Sequence, residues 1–401
     1  MALNSYAAFV FFYTGIFAKA NQVTYFMAGL YIHIPFCRQA CHYCDFHFSI
    51  NLDTKSKLVD ALIREMELHK NYLGEEKIET IYFGGGTPSL LEENELEAIF
   101  DQIYKQFNIS KTAEITLEAN PDDLTPAKIT TLLKLSVNRL SIGIQSFFDK
   151  DLQWMNRAHN SSQALQAVSA AQEAGFNNIS IDLIYGLPEG TAMAWDENID
   201  KALSLGVQHI SCYCLTVEPR TALAHFIATK KIKPADEETA AIQFEKLMQR
   251  MLESGWHQYE ISNFACDEKH ISRHNAAYWQ GEKYLGTGPA AHSYNGTTRQ
   301  WNVSNNQQYI RSIASGVVPF EMELLTATQR INEKIMTQLR TSWGLNLTQF
   351  ESSVTEKIIK SSTPFIKDEY VKLQHHVLML TQRGKLIADR IILELMLEEG
   401  A

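Results

Sequence analysis

Six short apolar segments, each followed by a helical pattern, constrain the fold of this chain more than any other feature. They are rich in Ile, Leu, Val, Tyr and Phe, and they occupy residues 30–35, 80–83, 114–118, 139–144, 179–184 and 209–216. Continuous apolar runs of this length are typical of parallel strands that are buried on both faces. The alternation therefore predicts an α/β protein, built on either an open doubly wound sheet or a partly closed barrel.

Residues with special chemistry occur where these strands are predicted to end. Cys37 follows the first strand, and the stretch of residues 84–88 (Gly-Gly-Gly-Thr-Pro) follows the second. Glu118 closes the third strand, Gln145 closes the fourth, and Asp182 lies within the fifth. Because functional residues of parallel α/β folds lie at the carboxyl ends of the strands, the sequence predicts one site at this edge.

Composition limits the size and the partners of the protein. The chain has 401 residues, of which 45% are hydrophobic, so it can bury one large domain or two packed ones. Lys and Arg number 36 against 46 Asp and Glu, a net charge of −10. Sequence-independent nucleic-acid binding depends on basic surface, so we expect no nucleic-acid partner.

The first 28 residues differ from the rest of the chain. Residues 7–18 form an almost unbroken apolar run that no Lys or Arg precedes. The run is shorter than the ~20 residues of a membrane-spanning helix, and it lacks the basic start of a secretory signal. Residues 1–28 are interpreted as an apolar N-terminal extension. Three alternatives stay open for it: a dispensable segment, a weak membrane-associating segment or a signal. The predicted location is cytoplasmic, with membrane association through this extension as an option.

Three of the six cysteines fall close together on the loop after the first strand. Cys37, Cys41 and Cys44 are spaced C-x3-C-x2-C, which predicts a metal site in a reducing compartment because thiolates bind Zn or iron–sulfur clusters. A structural zinc needs four protein ligands, and His42 or His47 could supply the fourth. Three thiolates can instead hold three corners of a [4Fe–4S] cluster and leave one iron open.

The segment Tyr-Ile-His-Ile-Pro-Phe at residues 31–36, followed by this cysteine spacing, resembles the radical S-adenosylmethionine superfamily. The resemblance implies a partial (β/α)6 TIM-like barrel and a [4Fe–4S] cluster on Cys37, Cys41 and Cys44, with S-adenosylmethionine at the open iron. It covers nearly all of residues 29–400. Within the superfamily, the sequence is most similar to the branch related to oxygen-independent coproporphyrinogen III oxidase.

The same resemblance implies which residues contact S-adenosylmethionine. In this sequence they are Tyr31, Tyr43, Gly85, Gly86, Thr87, Glu118, Gln145, Arg157 and Asp182. Glycines let backbone carbonyls approach a cationic amine. Acidic groups suit ribose hydroxyls or an amine, and arginine suits a carboxylate. Without the resemblance, Arg157 would be interpreted as an ordinary surface arginine.

Two differences separate the oxidases of this branch from its HemW-type haem chaperones. The oxidases resemble C-x3-C-x2-C-x-C, and this sequence has Phe46 where the further cysteine would stand. They also carry an Arg- and Tyr-rich N-terminal segment, whereas residues 1–28 contain no arginine. The four carboxylates of coproporphyrinogen need cationic partners. We therefore predict a haem chaperone. The alternative is a radical S-adenosylmethionine enzyme that decarboxylates coproporphyrinogen III oxidatively to protoporphyrinogen IX.

A second motif supports the chaperone interpretation. The segment His-Asn-Ala-Ala-Tyr-Trp at residues 274–279 resembles the HNxxYW signature of these chaperones, which implies haem contacts by His274, Tyr278 and Trp279. Neutral imidazole is a good axial ligand for haem iron, and aromatic rings can line a porphyrin. Alternatively, His274 hydrogen-bonds within the core while Trp279 packs. Both interpretations stay open at this point.

The resemblance also implies partners, and the changing pattern along the chain predicts a domain division. The partners are haem, a haem-accepting apoprotein that can reside at the membrane, and an electron donor. After the extension, the predicted units are a barrel at 29–235, an accessory region with the HNxxYW motif at 236–325 and a C-terminal winged-helix-like α+β domain at 326–401. In this last unit we predict a helix at 368–383, Gly384 and a strand at 385–391.

Overall fold

A computed structural model describes residues 28–188 and 192–398 of the chain. Apart from Ala28, the predicted N-terminal extension lies outside the described residues. Strands and helices alternate through the first half. The strands are β1 (Ala28–Ile34), β2 (Ile78–Gly85), β3 (Ile109–Ala119), β4 (Arg139–Gln145), β5 (Ile179–Tyr185) and β6 (His209–Cys214). The helices are α1 (Lys55–Leu68), α2 (Glu93–Gln106), α3 (Pro126–Lys134), α4 (Asp149–Trp154), α5 (Ser161–Glu173) and α6 (Ala192–Ser204).

The six strands β1 to β6 lie side by side in chain order, and every neighbouring pair is parallel. Their apolar side chains are fully buried, as at Ile32, Leu117 and Ile181. Consecutive residues of β1, β4 and β5 are buried, so both faces of these strands are covered, which explains their continuous apolar sequences. The predicted α/β architecture is confirmed.

The second half adds strands to both sides of this parallel centre. Its strands are β7 (His257–Gln258), β8 (Asn263–Ala265), β9 (Tyr284–Thr287), β10 (His292–Tyr294), β11 (Thr298–Asn302), β12 (Phe320–Leu324), β13 (Leu345–Asn346), β14 (Val371–Gln374) and β15 (Val377–Leu380). Its helices are α7 (Ala222–Ala228), α8 (Glu237–Glu253), α9 (Arg273–Gln280), α10 (Asn306–Ala314), α11 (Ala327–Gln338), α12 (Ser352–Lys367), α13 (Gln382–Lys385) and α14 (Ala388–Leu395).

The resulting sheet is mixed and has twelve strands. Its order is β12-β11-β10-β9-β1-β2-β3-β4-β5-β6-β8-β7. Strand β9 pairs in parallel with β1, while β8 pairs antiparallel with β6. The region after residue 235 therefore extends the sheet at both of its sides. It also brings α9, with the HNxxYW motif, against the parallel strands.

Local signals in the sequence explain several helices. Helix α1 has an apolar stripe that is buried, with Leu58, Leu62 and Met66 at 0% exposure. Thr125 caps α3, since its Oγ1 accepts a hydrogen bond from the backbone N–H of Lys128 at 3.2 Å. Asn160 caps α5, since its side-chain oxygen accepts a hydrogen bond from the backbone N–H of Gln163 at 2.9 Å.

The C-terminal part differs from the sequence expectation. A helix was expected at 368–383 and a strand at 385–391, but residues 371–380 form the antiparallel hairpin β14–β15 and residues 388–395 are helical. His375 and His376 make the two-residue turn with φ of 50° and 65°, the backbone that such hairpins require. The strands β13, β15 and β14 form a separate three-stranded sheet.

Within the described residues, no helix combines the length and the apolar character needed to cross a membrane.

Candidate functional site

A cavity of about 620 Å³ lies at the carboxyl ends of the parallel strands. Strands β2 to β6, or the residues just after them, contribute Gly85, Glu118, Gln145, Asp182 and Tyr213 to its wall. Five successive strands can line one cavity only if the sheet curves around it. This curvature gives the partial barrel its interior, and the predicted site edge is where the cavity opens.

The three clustered cysteines meet in this cavity. Cys37, Cys41 and Cys44 all line it, and all three are free thiols. The hydroxyl of Thr87 donates to Cys37 Sγ at 3.4 Å, and the Arg157 guanidinium donates to Cys41 Sγ at 3.3 Å. Burial raises the pKa of Cys37, and burial raises that of Cys44 to about 12. Burial thus favours the protonated thiols of Cys37 and Cys44, and a cation bound among the three sulfurs would stabilise thiolate forms.

Both histidines that could complete a zinc site are held elsewhere. His42 Nδ1 lies 2.8 Å from the carbonyl oxygen of Trp154, and His47 Nε2 lies 2.7 Å from Asn306 Oδ1. Neither histidine lines the cavity. The geometry therefore favours a site with three protein ligands, as a [4Fe–4S] cluster with one open iron requires.

Two buried carboxyl groups face the cavity from neighbouring parts of the sheet. Glu118 accepts hydrogen bonds from Tyr82 Oη at 2.8 Å and from the N–H of Gly85 at 3.2 Å, yet burial raises its pKa to about 7. Burial likewise raises the pKa of Asp182 to about 6, while a hydrogen bond from Ser211 opposes the shift. Such groups favour a cationic or hydroxyl-rich ligand, which would replace the lost solvation.

Arg157 joins the cysteine loop to the strand ends. Besides Cys41, its guanidinium donates to Asn120 Oδ1 at 2.7 Å and to the carbonyl oxygen of Gly143 at 2.9 Å. Burial by itself would lower the pKa of Arg157, but Tyr43 and Cys41 outweigh burial and raise it. Its Nε is buried without a partner among the described residues. This donor could be satisfied by a ligand carboxylate.

The glycines after β2 leave no room for side chains. At Gly85 φ is +107°, and an added Cβ would lie 2.5 Å from Cε1 of His33. At Gly86 it would lie 2.7 Å from the carbonyl oxygen of Phe36. The backbone thus passes close to the loop that carries the cysteines, and only glycine permits this approach. Gly85, Gly86 and Thr87 all line the cavity.

Of the remaining residues implied for S-adenosylmethionine, two line the cavity and one does not. Gln145 lines it with a left-handed backbone, φ 70°, and Tyr43 lines it with a pKa that burial raises. Tyr31 is absent from the wall. Its hydroxyl lies 3.1 Å from His33 Nδ1, and its ring stacks on Tyr82 with centroids 6.2 Å apart. Tyr31 therefore packs against His33 and Tyr82, outside the lining of the cavity.

The HNxxYW motif is not part of this cavity. His274 is 2% exposed, its Nδ1 lies 2.8 Å from Thr80 Oγ1 and its Nε2 lies 2.8 Å from the hydroxyl of Tyr278. Both ring nitrogens are thus occupied, and burial lowers the pKa of His274 to about 3. A buried imidazole with two partners is what the core interpretation of His274 predicts, and haem binding by this motif stays a prediction. Trp279 is half-buried.

Several cavity residues were not anticipated from the sequence. Asn120 connects Arg157 to Thr87, whose Oγ1 lies 3.4 Å from Asn120 Nδ2. Ser141 donates to Asp182 at 3.5 Å, and Tyr213 lies at the end of the sixth strand. Asn120 and Tyr213 lie at the carboxyl ends of β3 and β6, so the expectation that selected Glu118 could have found them. Ser141 lies within β4, and its position gave no such signal.

Comparison with known proteins agrees with this fold and site. The Radical SAM superfamily model matches residues 31–202, and the HemN C-terminal domain model matches residues 325–387. The solved structure of coproporphyrinogen III oxidase (HemN) from Escherichia coli, a radical SAM enzyme, matches with a TM-score of 0.80 and 22% identity. That match covers 93% of this chain and 91% of that one. The fold and the cysteine loop are those of the radical SAM class.

Curated relatives narrow the class to one family. Heme chaperone HemW of Bacillus subtilis (strain 168) is 36% identical over 372 residues, which are 91% of this chain and 98% of that protein. Heme chaperone HemW of Mycobacterium tuberculosis (strain ATCC 25618 / H37Rv) is 32% identical over 369 residues, which are 91% of this chain and 93% of that protein. The chain therefore belongs to the HemW family.

Proposed function

We propose that this protein is a haem chaperone that binds haem as cargo, holds a [4Fe–4S] cluster with S-adenosylmethionine, and delivers the haem to an acceptor protein. Similarity to proteins named heme chaperone HemW along 91% of the chain supports this function. The structural observation that carries it is Phe46. This side chain lines the cavity at 67% exposure, in the position of the further cysteine of the oxidase pattern.

The cysteine loop fits the cluster. Cys37, Cys41 and Cys44 would be its three protein ligands, and the fixed cation of Arg157 beside Cys41 would offset part of its negative charge. The hydroxyl of Thr87 would donate to the Cys37 thiolate. When bound, the cluster supplies one-electron chemistry and an iron with an open position.

The rest of the cavity fits S-adenosylmethionine. Glu118 and Asp182 offer buried carboxyl groups to an amine or to ribose hydroxyls, and the free Nε of Arg157 offers a donor to a carboxylate. Gly85 and Gly86 keep side chains out of the space beside the cysteine loop. Gln145 adds an amide at the end of β4.

The haem-facing part of the HNxxYW motif is then Trp279 rather than His274. The imidazole of His274 joins α9 to Thr80 of β2 and contacts Tyr278 one turn further along the same helix, and these contacts hold α9 against the sheet. Trp279 is half-buried on the same helix and can offer a flat apolar face to a porphyrin. In this proposal, His274 positions the motif and Trp279 contacts the cargo.

The proposal also names partners. The acceptor is a haem-binding apoprotein, which can be a membrane protein, and an electron donor is needed wherever the cluster is to change its oxidation state. A cytoplasmic location provides the reducing environment in which the free thiols Cys37, Cys41 and Cys44 stay available.

A radical enzyme is the second candidate, and the complete cavity favours it. Glu118, Asp182 and Arg157 converge on one space beside the three thiols, and a carrier of haem does not obviously require that arrangement. Formation of 5′-deoxyadenosine coupled to a changed substrate would establish this function. Coproporphyrinogen III is the first substrate to test.

One anaerobic experiment separates the two functions. Reconstituted protein receives haem in one sample, and coproporphyrinogen III with S-adenosylmethionine and a reductant in another. The chaperone function predicts a saturable Soret shift with haem that Trp279→Ala weakens, and unchanged porphyrinogen. Steady decarboxylation, or the absence of saturable haem binding, would contradict it. Arg311→Ala, on the surface of α10, serves as the matched control for a substitution outside the motif.

A further inference from the structure

A second group of metal-ligating side chains lies outside the cavity. Cys266, Asp267 and His270 occupy the short connection between β8 and α9, and one ligand atom of each lies within 4.8 Å of the other two. None of the three lines the cavity at the strand ends. The two sites are therefore chemically separate.

The backbone of this connection holds the three side chains together. The N–H of Cys266 donates to the carbonyl oxygen of Gln208 at 3.0 Å, which fixes the start of the turn to the sheet. Asp267 Oδ1 accepts from the N–H groups of Lys269 and His270 at 2.8 and 3.2 Å, which closes a single turn. This turn places His270 beside Cys266 before any ion is present.

The distances between the ligand atoms fit a tetrahedral zinc ion. Cys266 Sγ and His270 Nδ1 are 3.6 Å apart. Zn–S and Zn–N bonds of about 2.3 and 2.0 Å at a tetrahedral angle place these two atoms about 3.5 Å apart. Asp267 Oδ1 lies 2.8 Å from His270 Nδ1, so the carboxylate must move outward by about half an ångström. Asp267 is half exposed at the surface, which leaves it room to do so.

We propose that Cys266, Asp267 and His270 form a surface site for a divalent zinc-type ion, with water at the remaining position. A thiolate, an imidazole and a carboxylate are the three ligand types that zinc accepts in proteins. The site lies just before α9, which begins at Arg273. A bound ion would therefore fix the segment that enters the helix carrying the HNxxYW motif.

Zinc titration of the tag-free, cluster-loaded protein tests this site. Calorimetry under anaerobic conditions should show one Zn²⁺ per chain, and Cys266→Ser or His270→Ala should weaken binding more than about tenfold. His375→Ala is the matched control, because His375 is an exposed histidine in another turn, and it should bind zinc as the wild type does. Iron measured before and after the titration shows whether zinc has displaced the cluster.

Two results would overturn the proposal. One is wild-type protein that binds no zinc once its cluster is loaded. The other is equal affinity in the wild type, Cys266→Ser and His270→Ala, because zinc would then bind elsewhere. Both side chains lie at the surface, and the unchanged cluster absorption of each variant would show that it is folded. The zinc site does not depend on haem or on S-adenosylmethionine, so it can fail or hold independently of the proposed function.

Discussion

Arg157 donates a hydrogen bond to Cys41 Sγ over 3.3 Å, although the two residues are 116 positions apart in the chain. The same guanidinium donates to Asn120 Oδ1 and to the Gly143 carbonyl oxygen. Its position is therefore set by the ends of β3 and β4 and not by the cysteine loop. A fixed positive charge at this place would offset part of the negative charge of a bound cluster.

Replacing Arg157 should weaken retention of the cluster. A hydrogen bond to a charged group contributes about 1.5–3 kcal/mol, so Arg157→Ala should lose iron at least about tenfold more readily. Arg157→Lys should retain more iron than Arg157→Ala, because it keeps the charge. Iron per chain after gel filtration with a chelator measures the effect.

Arg38→Ala is the control for that experiment. Arg38 lies on the same loop but pairs with Asp123 at 3.1 Å, and its own side chain is 58% exposed. It should retain iron as the wild type does. Equal iron loss from Arg157→Ala and Arg38→Ala would contradict the role of the buried cation.

Glu118 makes the stability of the ligand-free protein depend on pH. Its pKa is raised from 4.5 to about 7 in the fold. Folding therefore favours the protonated form of Glu118. Its contribution to the free energy of unfolding is fully present below pH 4.5 and is lost as the pH rises through 7. The shift corresponds to about 3 kcal/mol. Between pH 4.5 and pH 8, the urea concentration at the midpoint of unfolding should therefore fall less in Glu118→Gln than in the wild type.

A carboxylate outside the cavity provides the comparison. Glu97 is exposed on α2, and Glu97→Gln should keep the slope of the wild type. Asp182 has a pKa raised to about 6 and will leave a residual slope in Glu118→Gln. Identical slopes in Glu118→Gln and the wild type would show that Glu118 is not the buried acid that we describe.

His274 should prove structural. Because both of its ring nitrogens are hydrogen-bonded in the core, His274→Ala should lower the free energy of unfolding by about 2–4 kcal/mol. The haem-bound absorption spectrum of the folded variant should keep its wild-type shape. Unchanged stability together with a lost Soret shift would instead make His274 an iron ligand.

Replacement of Gly85 by alanine should lower the stability of the fold more than the same replacement at Gly175, whose backbone has a similar φ. Gly85 and Gly175 have φ of +107° and +105°, but an added Cβ meets His33 at 2.5 Å in the first case and nothing within 4 Å in the second. Gly175→Ala should show only the backbone cost of about 1–2 kcal/mol. Gly85→Ala should be less stable by a further ~2 kcal/mol, as chemical denaturation would show. Equal losses would mean that the ring of His33 moves aside freely.

Much of the parallel sheet could be predicted because its signals are local. Strand β4 was expected at 139–144 and is observed at Arg139–Gln145, since continuous apolar runs mark buried strands. Functional residues of parallel α/β folds lie at the carboxyl ends of the strands, which placed Glu118 and Asp182 at one edge of the sheet. Both residues line the cavity. These predictions needed only the period of the pattern and the general geometry of α/β folds.

Features set by contacts distant in sequence were not predictable in this way. The ring of His274 is fixed by Thr80, which lies 194 positions earlier. No local pattern distinguishes such a histidine from an open ligand. The hairpin at 371–380 was misread because its turn consists of two histidines, which are not typical residues for positive φ. Long-range packing thus decides the surroundings of His274, whereas the hairpin was missed because its local turn signal is unusual.

Iron and acid-labile sulfide per chain test the central claim most directly. After anaerobic reconstitution, the wild type should hold about four of each, and the variant with Cys37, Cys41 and Cys44 all replaced by Ser should hold almost none. The variant with Cys212, Cys214 and Cys266 replaced by Ser should match the wild type. Equal iron and sulfide in the wild type and the first variant would contradict a cluster at this loop.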